Sequence, residues 1–319
     1  MKKILKYLGI TLASLLGLVL LLVLFINFKP LPNYQLEVPL GNLEVEINPE
    51  RVSNGAELSS VLCNHCHGNK GRLEGKLIAE EEGFGKIYAP NITQDEQYGI
   101  GSYTDAELYR LLRTGVKKDG GLSLPMMMRF PTAAEKDIYS IIAFLRSNEA
   151  AVQASSNQLA EYEPTFLVKL LYTIAFKPLP LPLEEISKPG PADKHFGQYL
   201  ANSLYACYNC HSASFESNNF MEPEKSAGFL GGGNPIAVGD MKPVESANIT
   251  MHETDGIGSW TQDDFFQALK FGKHPEGRKL SYPMLPYAFL DSTEIFAIHD
   301  YLKTVPQLAD TKNLAKINE

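Results

Sequence analysis

The sequence predicts an all-α protein in which two similar helical units stand in tandem behind an N-terminal transmembrane helix. Three observations carry this reading. An uncharged apolar run of 22 residues, Tyr7 to Phe28, opens the chain. A set of short segments recurs at a constant spacing of 157 residues. Within those segments apolar residues fall at helical spacing, and little reads as strand.

Lys2, Lys3 and Lys6 precede the apolar run, which at 1.5 Å per residue is long enough to cross a hydrocarbon core of about 30 Å. A cleaved signal peptide has a shorter apolar core followed by a small-residue site. Here the run ends Phe25-Ile26-Asn27-Phe28-Lys29-Pro30, so residues 1–28 are read as an uncleaved anchor. Flanking basic residues stay in the cytoplasm, which places the rest of the chain on the periplasmic side of a bacterial inner membrane. Without the three lysines the formal charge moves from −8 to −11. An acidic exported part argues against nucleic acid as a partner.

An extended linker, 29–50, leads to the first unit, 51–150. Ala56 to Leu62 has a helical pattern. Thr104-Asp105-Ala106-Glu107 is a capping box, followed by Leu108, Leu111 and Leu112 on one face and a Gly115 stop. Ile138, Ile141, Ile142 and Leu145 form the stripe of a last amphipathic helix. The segment 151–190 begins polar, carries the 11-residue apolar piece Phe166 to Phe176 and turns Pro-rich. That piece is too short to span a bilayer and is expected to pack on a unit or lie at the membrane surface. Phe176-Lys177-Pro178-Leu179-Pro180 echoes Phe28-Lys29-Pro30-Leu31-Pro32, a stiff extension before each unit.

The second unit, 191–310, repeats the first, and 311–319 is a tail. Phe196, Tyr199, Leu200 and Ser203 follow an expected Asp193 cap. Asn91-Ile92-Thr93 recurs as Asn248-Ile249-Thr250, and Gly99-Ile100-Gly101-Ser102-Tyr103-Thr104 as Gly256-Ile257-Gly258-Ser259-Trp260-Thr261. The capped helix recurs from Thr261 to Gly272, and the last stripe as Ile295, Ile298 and Leu302.

All four cysteines lie in two Cys-x-x-Cys-His pentapeptides, Cys63-Asn64-His65-Cys66-His67 and Cys207-Tyr208-Asn209-Cys210-His211. That spacing attaches c-type haem: two thiols bond the porphyrin vinyl groups and the adjacent imidazole binds the iron. One match could be half a zinc site; two with no cysteine left over point to two covalently bound haem c groups. The motifs are 144 apart, so the second unit holds 13 extra residues. These are read as a surface loop around Gly228-Phe229-Leu230-Gly231-Gly232-Gly233-Asn234-Pro235.

His67 and His211 are the candidate proximal ligands. Distal candidates stand in Leu124-Pro125-Met126-Met127-Met128-Arg129-Phe130 and Ser281-Tyr282-Pro283-Met284-Leu285-Pro286-Tyr287. The repeat pairs Met127 with Met284. Met126 is the alternative, since it follows Pro125 as Met284 follows Pro283. His65, His195, His252, His274 and His299 have no match in the repeat and are expected at the surface or behind the ligands. Tyr103 and Trp260 are expected to pack on haem. Asn91 and Asn248 are expected either to bond haem propionates or the ligand loop, or simply to form turns.

On these motifs, over about 51–150 and 191–305, the chain resembles tandem class I cytochrome c proteins, and more closely the multihaem cytochrome c subunits of periplasmic alcohol and aldehyde dehydrogenases. The resemblance implies helical cytochrome folds, His/Met iron and electron relay. It departs at the distal ligand, where those subunits show Met-Pro-Tyr, and in haem number, often three there. The expected role is a membrane-anchored electron carrier without catalytic residues, exchanging electrons with a dehydrogenase, an oxidase or a quinol-oxidising complex. A dihaem peroxidase and a dihaem subunit of a cbb3-type oxidase are the alternatives.

Overall fold

The computed structural model describes residues 2–35, 43–81, 83–236 and 242–309. The tail 311–319, residue 310 and part of the 29–50 linker lie outside the described residues. α1 (Lys2–Phe28) is the apolar helix, exposed along nearly its whole length except Ile26 near its end. It is the one helix among the described residues long and apolar enough to cross a membrane.

The rest is helix-rich with few strands. A first set comprises α2 (Pro49–Leu62), α3 (Asn64–His67), the hairpin β1 (Lys76–Glu81) and β2 (Gly85–Ala89), α4 (Asp105–Thr114) and α5 (Glu135–Leu145). α6 (Phe166–Ile174) comes between the two sets in the chain. A second set follows: α7 (Phe196–Gln198), which runs into a π-helical stretch Tyr199–Leu204, then α8 (Cys207–His211), β3 (Pro235–Ile236), β4 (Val244–Glu245), α9 (Gln262–Phe271) and α10 (Ser292–Leu302).

Both sets are built the same way. The capping boxes form: Thr104 accepts from the Glu107 backbone, Thr261 from that of Asp264, and each carboxylate returns to its cap. Gly115 and Gly272 end their helices in the left-handed region, φ 81° and 65°. The first helix of each set crosses the last at a glycine. A Cβ on Gly55 would overlap the Ser140 carbonyl, and one on Gly197 the Ala297 carbonyl, two positions 157 apart. Only glycine lets these backbones touch. One continuous apolar core runs through both sets, from Leu58, Leu108, Ile138 and Ile142 to Leu200, Phe265, Ile295 and Leu302.

Three details differ from the sequence expectation. Asp193 does not cap a helix; its carboxylate accepts from the His195 backbone, and the helix starts at Phe196. Gly55 precedes Cys63 by eight residues but Gly197 precedes Cys207 by ten. The longer path is taken up by the π-helical turn and by Ala206 at φ 45°. Finally, the extra residues are not around Gly228 to Pro235. Ile92 and Ile249 donate to the carbonyls of Leu73 and Leu230 at the constant 157 spacing, so the insertion lies between His211 and Leu230. Phe229 and Leu230 are core residues; in this segment glycine serves close approach, as at Gly232 with φ 71° against the Ala247 and Asn248 backbone.

Candidate haem-attachment sites

The first motif sits at a helix junction. Cys63 ends α2 and caps α3, and the amides of Cys66 and His67 both donate to its carbonyl. Two thiols and one imidazole therefore share a single turn. The second motif occupies α8 as a comparable turn. In each, the histidine ring is fixed from behind: Nδ1 of His67 lies 2.7 Å from the Pro90 carbonyl oxygen, and Nδ1 of His211 lies 2.7 Å from that of Ala247. Pro90 and Ala247 are also 157 apart. A ring that donates through Nδ1 presents its lone pair at Nε2, the arrangement a metal-bound histidine needs.

Burial pushes both imidazoles below their ordinary value, which keeps them neutral and able to ligate. The same burial pushes the thiols up, Cys63 and Cys210 to about 11 and Cys207 to about 12. Among the described residues no group of three or more His, Cys, Asp or Glu converges as an ion site. The thiols are thus not gathered as in a tetrahedral zinc site; this donor set fits c-type haem. When bound, the haem would be held by Cys63, Cys66 and His67 in one set and by Cys207, Cys210 and His211 in the other.

The methionine segments are framed alike. The Met127 amide donates to the Leu124 carbonyl at 3.0 Å and that of Met284 to the Ser281 carbonyl at 3.1 Å. Phe130 and Tyr287 donate to Leu112 and Leu269 on the middle helices, and Ser123 and Leu280 to the helix-ending Gly115 and Gly272. A cation clamps the segment's far end in both. Arg113, fully buried, donates to the Phe130 and Ala133 carbonyls and pairs with Glu135 at 3.0 Å; Lys270 donates to the Ala288 and Leu290 carbonyls. The turn repeats at Met127 and Met284, which are half-buried, whereas Met126 is exposed and Met128 packs on the core.

Asn91 and Asn248 have a structural role. Each Oδ1 accepts from the amide and hydroxyl of the threonine two residues on, and each Nδ2 ties down the chain that leaves the last helix, at Ser155 and at Leu308. Tyr103 and Trp260 pack part-buried against the core, Trp260 edge-on to His274. Of the unmatched histidines, His195 is exposed and His65, His252 and His274 are half-buried. His299 is buried against the Phe265 ring, where the first set has Ile142, and its Nδ1 has no hydrogen-bond partner. It is a core residue, not a surface one.

The two sets meet at their sites. The Tyr282 hydroxyl lies 3.1 Å from Nδ1 of His65, and their rings are 5.0 Å apart. Cys66 and Cys210 are close enough for charge on one to raise the other. Sequence reasoning did not find the Pro90 and Ala247 carbonyls or the Arg113 and Lys270 clamps. The signal for them was present, since all four positions obey the 157 spacing.

No family model matches the chain. It is 28% identical over 276 residues to a fructose dehydrogenase cytochrome subunit of Gluconobacter japonicus, covering 82% of this chain and 54% of that one. It is 27% identical over 244 residues to the cytochrome c subunit of a quinone alcohol dehydrogenase of Gluconobacter oxydans (strain 621H), covering 73% and 49%. A dihaem c-type cytochrome of Cereibacter sphaeroides is 25% identical over 233 residues, covering 70% and 73%. The chain spans about half the length of the two dehydrogenase subunits. Its homologues, at modest identity, are cytochrome c subunits of dehydrogenases and a dihaem cytochrome c.

Proposed function

We propose that this chain is a membrane-anchored dihaem cytochrome c. It relays electrons between a periplasmic dehydrogenase or quinol-oxidising complex and a terminal acceptor, as an electron-transfer protein and not as an enzyme. The observation that carries the reading is the matched pair of imidazoles, each held by Nδ1 on the carbonyl 157 residues from its counterpart, one residue after two thiol positions of a Cys-x-x-Cys-His turn. Two tandem class I cytochrome c domains, 51–150 and 191–310, would each carry one covalently bound haem c. Bound haem supplies one-electron transfer at its iron.

The chain's own residues then have defined tasks. His67 and His211 present Nε2 as proximal ligands, oriented by Pro90 and Ala247. Met127 and Met284 present thioether sulfur from the two framed turns. With histidine and methionine both held for the iron, bound haem would supply electron transfer and no substrate site, and methionine would raise its reduction potential relative to a second histidine. The relatives are named as cytochrome subunits, which supports relay. α1 would hold the chain on the periplasmic side of a bacterial inner membrane.

The test is a redox-poised optical and EPR spectrum of the purified, haem-loaded protein, with peroxide and carbon monoxide added afterwards. Two low-spin His/Met haems in both redox states, unreactive to either, are expected. A high-spin or ligand-reactive haem would instead make one site catalytic and remove the methionine from it.

A further inference from the structure

α6 has two apolar faces, and only one of them is buried. Val168 and Tyr172 are buried, packed with Val116, Leu122 and Leu124, and the Tyr172 hydroxyl donates to the Leu122 carbonyl at 3.1 Å. The helix thereby rests on the segment that leads into Met127. On the opposite side Phe166, Leu167, Leu170 and Ile174 follow one another at helical spacing and form a single stripe. Phe166 is 38% exposed, Leu167 41% and Ile174 64%. Exposed leucine, isoleucine and phenylalanine gathered on one face imply a covering surface.

What covers it is indicated by α1. The two helices pack together, and the Lys169 ammonium donates to the Asn27 carbonyl in the last turn of α1 at 3.1 Å. Phe28, beside it, is 83% exposed. The outer stripe of α6 thus lies level with the point where the apolar span ends. α6 contains no acidic residue; Lys169 lies within it, Lys177 follows it in the chain and Lys29 follows Phe28 of α1. An apolar stripe edged by lysines at the end of a span has the chemistry of a helix lying in the headgroup region of a bilayer.

We propose that α6 is a second membrane contact: its outer face lies in the lipid interface and its inner face holds the Leu122–Met127 segment about one helix diameter, roughly 10 Å, from the bilayer. This rests on the reading that α1 spans a membrane. It adds that the first site is docked on the membrane surface and not suspended from a tether. Electron exchange at that site is then with a partner in or on the membrane.

The experiment uses the full haem-loaded chain in nanodiscs of phosphatidylcholine and phosphatidylglycerol. A benzophenone amino acid replaces Leu18, Leu167, Ile174 or Phe271 one at a time, and lipid adducts are read by intact mass after illumination. All four side chains are exposed, so the substitutions leave the core intact. Adducts at 18, 167 and 174 and none at 271 are expected. An adduct at 18 without adducts at 167 and 174 overturns the proposal and leaves the anchor standing. Absence of an adduct at 18 overturns the anchor, and the proposal with it.

Discussion

The Tyr282 hydroxyl stands 3.1 Å from Nδ1 of His65. One residue lies between the two cysteines of the first attachment turn, and the other lies two positions before Met284. The Cys-x-x-Cys-His turn of one set is therefore in contact with the methionine segment of the other. Behind this contact the core is continuous: the Tyr199 hydroxyl accepts from the Ala134 amide at 3.0 Å and bonds the Asp137 carboxylate, which also pairs with Lys188. The two sets are fixed relative to each other by buried polar bonds as well as by packing.

This contact makes a local change at one site visible at the other. Tyr282→Ala should accelerate amide exchange both in its own turn, around Ser281 to Met284, and across Asn64 to His67. Tyr282→Phe, which keeps the ring contact, should do so less. Because Tyr282 is 39% exposed, the stability lost should stay within about 1 kcal/mol. Exchange that rises only at residues 281–284 would show that the contact does not couple the sites.

Arg113 makes a sharper demand. It is wholly buried and binds the Phe130 and Ala133 carbonyls and Glu135, whose carboxylate also accepts from the Tyr109 hydroxyl at 2.9 Å. Arg113→Ala leaves the buried Glu135 carboxylate without its cation, held only by the Tyr109 hydroxyl and the Ile186 amide, a defect that costs about 3–5 kcal/mol. Lys270→Ala removes a clamp without a buried carboxylate beside it and should cost about 1–3 kcal/mol. Denaturant unfolding of the two variants checks the order; equal losses would count against it.

The glycine crossings are more local. Gly55→Ala and Gly197→Ala each place a methyl group on a backbone carbonyl and must push two helices apart, at about 1–3 kcal/mol. The yield of haem-loaded protein and the melting temperature should both fall. Gly17→Ala in α1, where nothing lies within 4 Å, should change neither.

The repeat was legible because its markers are local. Capping boxes, helix-ending glycines and isoleucine stripes act within a few residues of chain, so α4, α5, α9 and α10 followed from the sequence. What was not legible depended on non-local pairing. The hairpin β1–β2 is short, and its Lys76–Glu81 strand lacks alternation. The π-helical turn before Cys207 is visible only as two additional residues. The insertion was misplaced because glycines signal both surface loops and close backbone approach, and at Gly232 the second holds. His65 with Tyr282 joins two half-exposed residues 217 apart, which no periodicity marks. At the candidate sites the cysteine and histidine motifs stand out by spacing, while the carbonyls that orient the imidazoles belong to the backbone, carry no residue type of their own and are marked only by the 157 spacing.

The methionine pairing is open to a direct spectral test. The backbone turn repeats at Met127 and Met284, and Met126 points its side chain toward solvent at 42% exposure. Met127→Ala and Met284→Ala should each remove His/Met character from one haem and leave the other intact. Met126→Ala should preserve both spectra. If it removes one and Met127→Ala does not, the first ligand is Met126.

His299 gives the second set a buried titratable ring where the first has Ile142. Its ring is buried against Phe265, with Nδ1 unpaired, in the position of Ile142. Burial lowers its pKa, and Lys303 lowers it further while Asp300 acts in the opposite direction. The folded protein thus disfavours protonation of this ring, whereas in the unfolded chain it protonates near its ordinary value of 6.5. Below that value the unfolded state binds more protons, so the contribution of His299 to stability is lost as pH falls from 7 toward 5. His299→Ile restores the residue type of the first set and removes both the proton and the unpaired nitrogen. The variant should be more stable than the parent at pH 5 by a margin that shrinks toward pH 7.5, as read from denaturant midpoints of the two proteins measured side by side. A margin independent of pH would show that the ring does not titrate on unfolding, leaving only its packing and its unpaired nitrogen to explain the difference.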